Sequence, residues 1–212
     1  MTAFPVILSS PSGGGKTTIA RRLLKERDDV GYSVSATTRA RRPDEVDGVD
    51  YHFLTPDTFR ARQAAGDFAE WAEVHGHLYG TLRAEVERVL SSGRHVLMDI
   101  DIQGARQVRA AFRDSVLIFL VPPSVEVLVG RLRARGTETE ASIQERLRNS
   151  VVEVEAARAY DYVVVNDDLP AAASQVSAII NAEGMRVARD RGTNDRIAAL
   201  LAELRRSIPA TA

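Results

Sequence analysis

The sequence contains no cysteine, which removes disulfides, thiolate metal sites and a cysteine nucleophile together. Charge of either sign is scarcely in excess: 28 Lys and Arg against 29 Asp and Glu leave −1 at neutral pH. No general field therefore draws nucleic acid, and any positive potential must be local. The first residues, Met1-Thr2-Ala3-Phe4-Pro5-Val6, lack a basic start, and the apolar run there is too short for a signal peptide. These absences predict a cytoplasmic protein with no nucleic-acid and no membrane partner. Histidine is scarce too. His75 and His77 flank Gly76 without the i, i+4 spacing of a zinc motif, so they, with His52 and His95, read as surface or packing residues.

What is present suits one globular domain: 212 residues, 44% apolar and 27% charged, are enough to bury a proper core. Short β-branched runs alternate with helical patterns, without internal repeats or low-complexity linkers, which means α/β. Buried strands are predicted at Pro5 to Ser9, Val96 to Ile100, Val116 to Val121 and Tyr162 to Val165, with a shorter one at Tyr32 to Ser35. Helices are predicted near 17–27, 82–92, 102–112, 124–135 and 140–158, Gly93 reading as a stop and Ser124 as an N-cap. In the last of these Ile143, Leu147, Val151 and Val154 share a face. The stretch 36–81 breaks the rhythm with Arg, Asp, Gly and aromatics, a strand at Tyr51 to Leu54 and a helix opening at Thr55-Pro56-Asp57. It reads as an inserted substrate-binding subdomain. Val176, Ile179 and Ile180 form one late helical face; Ile197, Leu200, Leu201 and Leu204 form another, within 195–206. Both are expected to pack on the core, with a subunit contact as the alternative for the last.

The chain is organised around Ser10-Pro11-Ser12-Gly13-Gly14-Gly15-Lys16-Thr17-Thr18, between the first strand and the first helix. Glycines let successive N–H groups turn inward, and the helix dipole adds positive potential at the same spot. In the pattern GxxxxGK[ST], Lys16 reaches the β/γ-phosphates of a nucleotide and the Thr17 hydroxyl ligates Mg²⁺. Ser10 stands at the pattern's first glycine. A second basic piece, Thr37-Thr38-Arg39-Ala40-Arg41-Arg42, offers guanidinium forks to a phosphate, and Tyr51 and Tyr79 can add phenolic donors.

Ser33-Val34-Ser35-Ala36-Thr37-Thr38-Arg39 through Tyr51-His52-Phe53 resembles the GMP-binding segment of guanylate kinases. The order continues in Phe68-Ala69-Glu70-Trp71, Leu78-Tyr79-Gly80-Thr81, Met98-Asp99-Ile100-Asp101, Arg135-Gly136-Thr137-Glu138 and Val165-Asn166-Asp167-Asp168, from about 5 to 180. The chain departs where Asp44 precedes Glu45, since family sequences have glycine before this acid. The resemblance implies a P-loop NTPase-type parallel sheet flanked by helices. The core would be 1–33, 82–123 and 151–212, with a GMP-binding subdomain at 34–81 and a lid at 124–150. It implies γ-phosphoryl transfer from ATP to GMP with Mg²⁺, dGMP as a further acceptor, and a monomer or homodimer. Ser35, Glu70, Thr81 and Asp101 would hold guanine; Arg39, Arg42, Tyr51 and Tyr79 the GMP phosphate. Asn166 would lie near the adenine of ATP.

Chemistry supports these roles independently. Guanine shows N1–H and N2–H₂ side by side, and one carboxylate, Glu70, accepts both; adenine would leave it unpaired, a mismatch that can reject an analogue by ~10⁴-fold. Ser35 can donate to O6. Asp99 and Asp101 close a strand that delivers side chains to a ligand crevice, Asp99 reaching Mg²⁺ through water; an N-cap is the competing role for Asp101. The acceptor is already ionised, so the reaction needs alignment and positive charge rather than a strong base. Lys16, Arg39, Arg131, Arg135 and Arg146 are the candidates, Arg131 and Arg135 being one helical turn apart. A P-loop kinase with another acceptor and a non-catalytic scaffold module compete. A GTPase is disfavoured because Asn-Lys-x-Asp is missing.

Overall fold

The computed structural model describes residues 2–74, 76–134 and 140–208. Strands β1 (Pro5–Ser9), β2 (Val30–Tyr32), β7 (His95–Asp99), β8 (Val116–Val121) and β9 (Tyr162–Val165) form a five-stranded sheet in the order β2-β7-β1-β8-β9. Every pairing in it is parallel. In β1 all five residues are buried: Val6 and Leu8 pack into the cluster on one face, Ile7 into that on the other. A strand covered on both sides has no polar alternation, which is why it reads as a plain apolar run.

One face is covered by α1 (Lys16–Glu26), through Ile19 and Leu23, and by α7 (Leu169–Gly184), through Val176 and Ile180. Helices α3 (Arg83–Ser91) and α4 (Ile102–Ala111) cover the other, through Val86, Val89, Ala105 and Val108. The chain lays β2 and β7 on one side of β1 and then crosses it to lay β8 and β9 on the other. That reversal puts a crevice at the carboxyl end of β1, where open parallel sheets take ligands.

A second sheet, β4-β3-β6-β5, consists of β3 (Ser35–Thr37), β4 (His52–Phe53), β5 (Phe68–Val74) and β6 (His77–Leu82). One face packs Ala36, Phe68 and Leu82 against Phe59 of α2 (Pro56–Ala64), Phe59 and Phe68 stacking at 4.2 Å. The predicted strand over Tyr32 to Ser35 is corrected: the chain leaves the core sheet after Tyr32 and enters the second at Ser35. Strands β5 and β6 escape the sequence reading, because Glu70, Trp71 and Glu73 break the apolar period on a half-exposed sheet. Thr55 and Ser124 cap α2 and α5 (Val125–Arg133), and Gly93 ends α3 with φ 79°.

Two apolar faces differ from expectation. On α6 (Glu140–Ala156) Ile143 is buried, but Val151 and Val154 are exposed. On α8 (Arg191–Ser207) Ile197, Leu200, Leu201 and Leu204 remain 45%, 56%, 46% and 53% exposed, so the expected core packing is corrected. Both faces of the parallel sheet already carry helices. The chain is pinned just before α8 by Arg189, whose guanidinium lies 4.5 Å from the Phe4 ring and donates to the Asp114 carbonyl.

Candidate active site

The loop between β1 and α1 curls through left-handed backbone at Gly13 (φ 87°) and Gly15 (φ 92°), which residues with a Cβ adopt only under strain. Gly14 is required for another reason. A Cβ there would lie 2.6 Å from that of Ser10, so the serine at the pattern's first position is accommodated because position 14 has no side chain. The Gly14 N–H donates to the Pro11 carbonyl at 2.8 Å and closes the turn. Among the described residues no side chain caps α1 at Gly15, and its first turn carries no acid. Its leading N–H groups and Lys16 therefore face a potential anion without competition.

On one side of this loop lies a cavity of about 340 Å³ lined by Gly13, Gly15, Thr18, Arg131, Asn166 and Leu169. Asn166 is buried and donates to the Gly14 carbonyl at 2.8 Å, fastening the end of β9 to the loop. Arg131 gives one N–H to the Asn166 carbonyl at 2.8 Å. Its Nη1 is buried and has no hydrogen-bond partner among the described residues. An unpaired guanidinium nitrogen beside a glycine-rich loop fits a phosphate oxygen. From α6, Arg146 donates to the Ser12 hydroxyl at 2.6 Å, and Glu153 accepts the Ser12 N–H at 3.3 Å. Burial pushes the Glu153 carboxyl above its usual range. Arg135, with Gly136, Thr137 and Glu138, lies outside the described residues, as does His75.

On the other side a cleft of about 540 Å³ runs from Thr17, Asp99 and Asp101 to Ser35, Glu70 and Tyr79. Between the two cavities Thr17 donates to Asp99 Oδ2 at 2.7 Å, while Tyr32 donates to Oδ1 at 2.9 Å. Strand register builds the floor. Ser35 of β3 stands opposite Thr81 of β6, which stands opposite Glu70 of β5, a row of three polar residues across three strands. The next row on that face is Thr37, Tyr79 and Ala72. Thr81 donates its hydroxyl to Glu70 at 2.7 Å. Burial holds the Glu70 carboxyl above its ordinary range and the Asp101 charge adds to this, against the Thr81 bond. Asp101 takes the N-cap position, its Oδ1 accepting from the N–H groups of Gln103 and Gly104 at 3.0 and 2.8 Å. It lines the cleft all the same.

The structure also gathers Arg39, Tyr51 and Tyr79: the tyrosine rings are 6.1 Å apart, and the Arg39 guanidinium is 5.5 Å from the Tyr51 ring. Glu45 orders this corner, accepting from Arg39 at 2.6 Å and from the Arg42 N–H at 2.8 Å. Asp44 before Glu45 therefore leaves the hub intact. Arg42 is exposed and does not line the cleft. Sequence reasoning missed Tyr32, Glu45 as an ion-pair partner, and Glu153. Glu153 stands two helical turns from Arg146, and that i, i+7 spacing was the available signal.

The likeness to known proteins runs through both sheets. A family model described as guanylate kinase matches residues 2–183. A guanylate kinase from Chelativorans sp. (strain BNC1) is 50% identical over 199 residues, 93% of this chain and 91% of that protein. One from Sphingopyxis alaskensis is 47% identical over 204 residues, 96% and 91% of the two. A crystal structure of guanylate kinase from Anaplasma phagocytophilum superimposes with a TM-score of 0.71 at 35% identity, covering 92% of this chain and 93% of that one. Identity of this extent, over a segment that takes in the glycine loop, the three-strand polar row and the arginine-tyrosine corner alike, places the chain in the guanylate kinase family.

Proposed function

We propose that the protein transfers the γ-phosphoryl group of ATP to GMP, yielding ADP and GDP, with ATP on the Arg131 side of the glycine loop and GMP in the larger cleft. The row Ser35, Thr81 and Glu70 carries this reading. It sets a hydroxyl donor, Ser35, and a buried carboxylate, Glu70, at opposite ends of one row on the same sheet face, the complement of guanine O6 on one side and N1–H and N2–H₂ on the other. Arg39, Tyr51 and Tyr79 would take the GMP phosphate one row away, with Arg42 turning in from its exposed loop. Asn166 and Arg131 would border the ATP nucleoside and its phosphates.

In that arrangement a GMP phosphate oxygen attacks the γ-phosphorus while the bond to the β,γ-bridging oxygen breaks in line, and ADP leaves with that electron pair. Lys16 and the loop amides hold charge on the phosphates; Arg131, Arg135 and Arg146 add positive charge from the segment 124–150, which acts as a lid that excludes water. Thr17 and Asp99 supply only oxygen atoms, a donor set that fits Mg²⁺, with Asp99 acting through water. Among the described residues no three His, Asp or Glu cluster for a metal, so phosphates and water would complete its shell. Mg²⁺ held by these oxygens would supply positive charge to the nucleotide phosphates.

Among the described residues no helix is long and apolar enough to cross a membrane. The reading is tested by ADP formation from ATP and Mg²⁺ with GMP, dGMP, AMP, CMP or UMP at equal concentration. Turnover confined to the guanine nucleotides is expected; equal turnover with AMP would overturn the assignment of Glu70.

A further inference from the structure

Strand β5 is the outer strand of its sheet, so its far edge has no strand partner among the described residues. At Trp71 a side chain takes that place. Gln107 of α4 accepts the Trp71 N–H at 3.1 Å and donates to the Trp71 carbonyl at 2.9 Å. Two bonds of opposite sense to one residue are what an antiparallel neighbour would supply. The edge needs them, because the β5–β6 register shifts between Phe68 and Glu70, and a bulge in an edge strand bends the backbone and re-aims the next side chain. Glu70 is that side chain.

One turn earlier on the same face of α4 stands Gly104. A Cβ at this position would come 3.1 Å from Glu70 Oε2 and 3.3 Å from Ile100 Cδ1. The carboxylate has little freedom to retreat, since its other oxygen accepts the Thr81 hydroxyl at 2.7 Å. Asp101 caps the helix and fixes where position 104 falls. Neither Gly104 nor Gln107 lines the acceptor cleft, so both act through Glu70.

We propose that Gly104 and Gln107 are positioning residues that set the guanine discrimination of Glu70. Gly104 leaves the carboxylate its room, and Gln107 fixes the backbone one residue away; the inference rests on Glu70 being the guanine acceptor. The chemistry at stake is the exocyclic 2-amino group, which GMP carries and inosine monophosphate lacks. A displaced carboxylate loses the second hydrogen bond first.

The experiment compares kcat/KM for GMP and for inosine monophosphate in wild type, Gly104→Ala and Gln107→Ala, with KM for ATP, Tm and Trp71 fluorescence during GMP titration. Trp71 is the sole tryptophan and reports binding without catalysis. Gly104→Ala is expected to lower the GMP-to-inosine ratio about tenfold, with KM for ATP within about twofold. Its Tm should hold, because alanine favours a helix over glycine. Gln107→Ala should lower the ratio several-fold; if it proves too unstable, Gln107→Glu, which keeps the acceptor for the Trp71 N–H, replaces it. A ratio unchanged in both positions overturns the proposal, as does a loss shared equally by GMP, inosine monophosphate and ATP. A wild type that fails to prefer GMP would instead sink the functional reading, so the two failures are distinct.

Discussion

The two sheets bury apolar surface in opposite ways. The parallel sheet is covered on both faces at its centre, where β1 and β8 are apolar almost throughout, while Val163 and Val165 of the edge strand β9 are exposed. The second sheet packs an apolar face, with Ala36 and Phe68, against α2, while its other face carries the polar row Ser35, Thr81 and Glu70, of which Ser35 and Glu70 line a cleft. Apolar packing is thus concentrated in one sheet and the polar lining of the cleft in the other. The glycine loop and Asp99, at the carboxyl ends of β1 and β7, are where the two meet.

The comparison can be broken at several points. Lys16→Ala should lower kcat by at least ~10³-fold, about 4 kcal/mol of barrier, while Tm and GMP binding stay near wild type; steady-state kinetics with a thermal melt separates the two. Leu8→Ala, a fully buried position, should cost ~2–5 kcal/mol in urea unfolding without altering nucleotide KM values in the protein that remains folded.

Glu70→Gln should lower kcat/KM for GMP by about a hundredfold with little change for ATP, since it replaces one acceptor by a donor. It should also raise Tm at neutral pH. A carboxyl whose folded pKa lies above its unfolded one binds more protons folded than unfolded between those values. Stability therefore falls as pH rises through that window, and the Tm gap between variant and wild type should widen from pH 4 to pH 7; a gap independent of pH would contradict the buried charge. The smallest effect belongs to Leu201→Ala on α8, where 46% exposure predicts a cost under ~0.5 kcal/mol by the same urea assay.

Legibility followed the same divide. The strands at Pro5 and Val116 and the caps at Thr55 and Ser124 are visible in the sequence, because burial on both faces and side-chain capping leave local marks. The strand at Tyr162, expected to be buried, is legible only as a β-branched run, since Val163 and Val165 are exposed. The β5–β6 hairpin leaves a weak mark, since Glu70 and Trp71 serve different faces of a half-exposed strand. Spacing alone would make Glu70 a surface carboxylate. Its burial beside Thr81 goes with a bulged β5–β6 register and with a contact from the Trp71 backbone to Gln107, 36 residues further along the chain. The stripe on α8 misleads for the converse reason: an amphipathic pattern says that a helix has an apolar face, not that an uncovered face awaits it.

Sequence by itself determined the α/β class, the glycine loop that leads into α1 with Lys16 and Thr17, and the family likeness, because each rests on residues close together in the chain. Only the tertiary structure decided which side chains share a cleft and how β5 is held. It also decided why position 14 must be glycine, with Ser10 beside it, and left α8 uncovered. Those outcomes depend on strand order, register and packing between distant segments, and no local pattern encodes the position of a neighbour that the chain reaches only by folding.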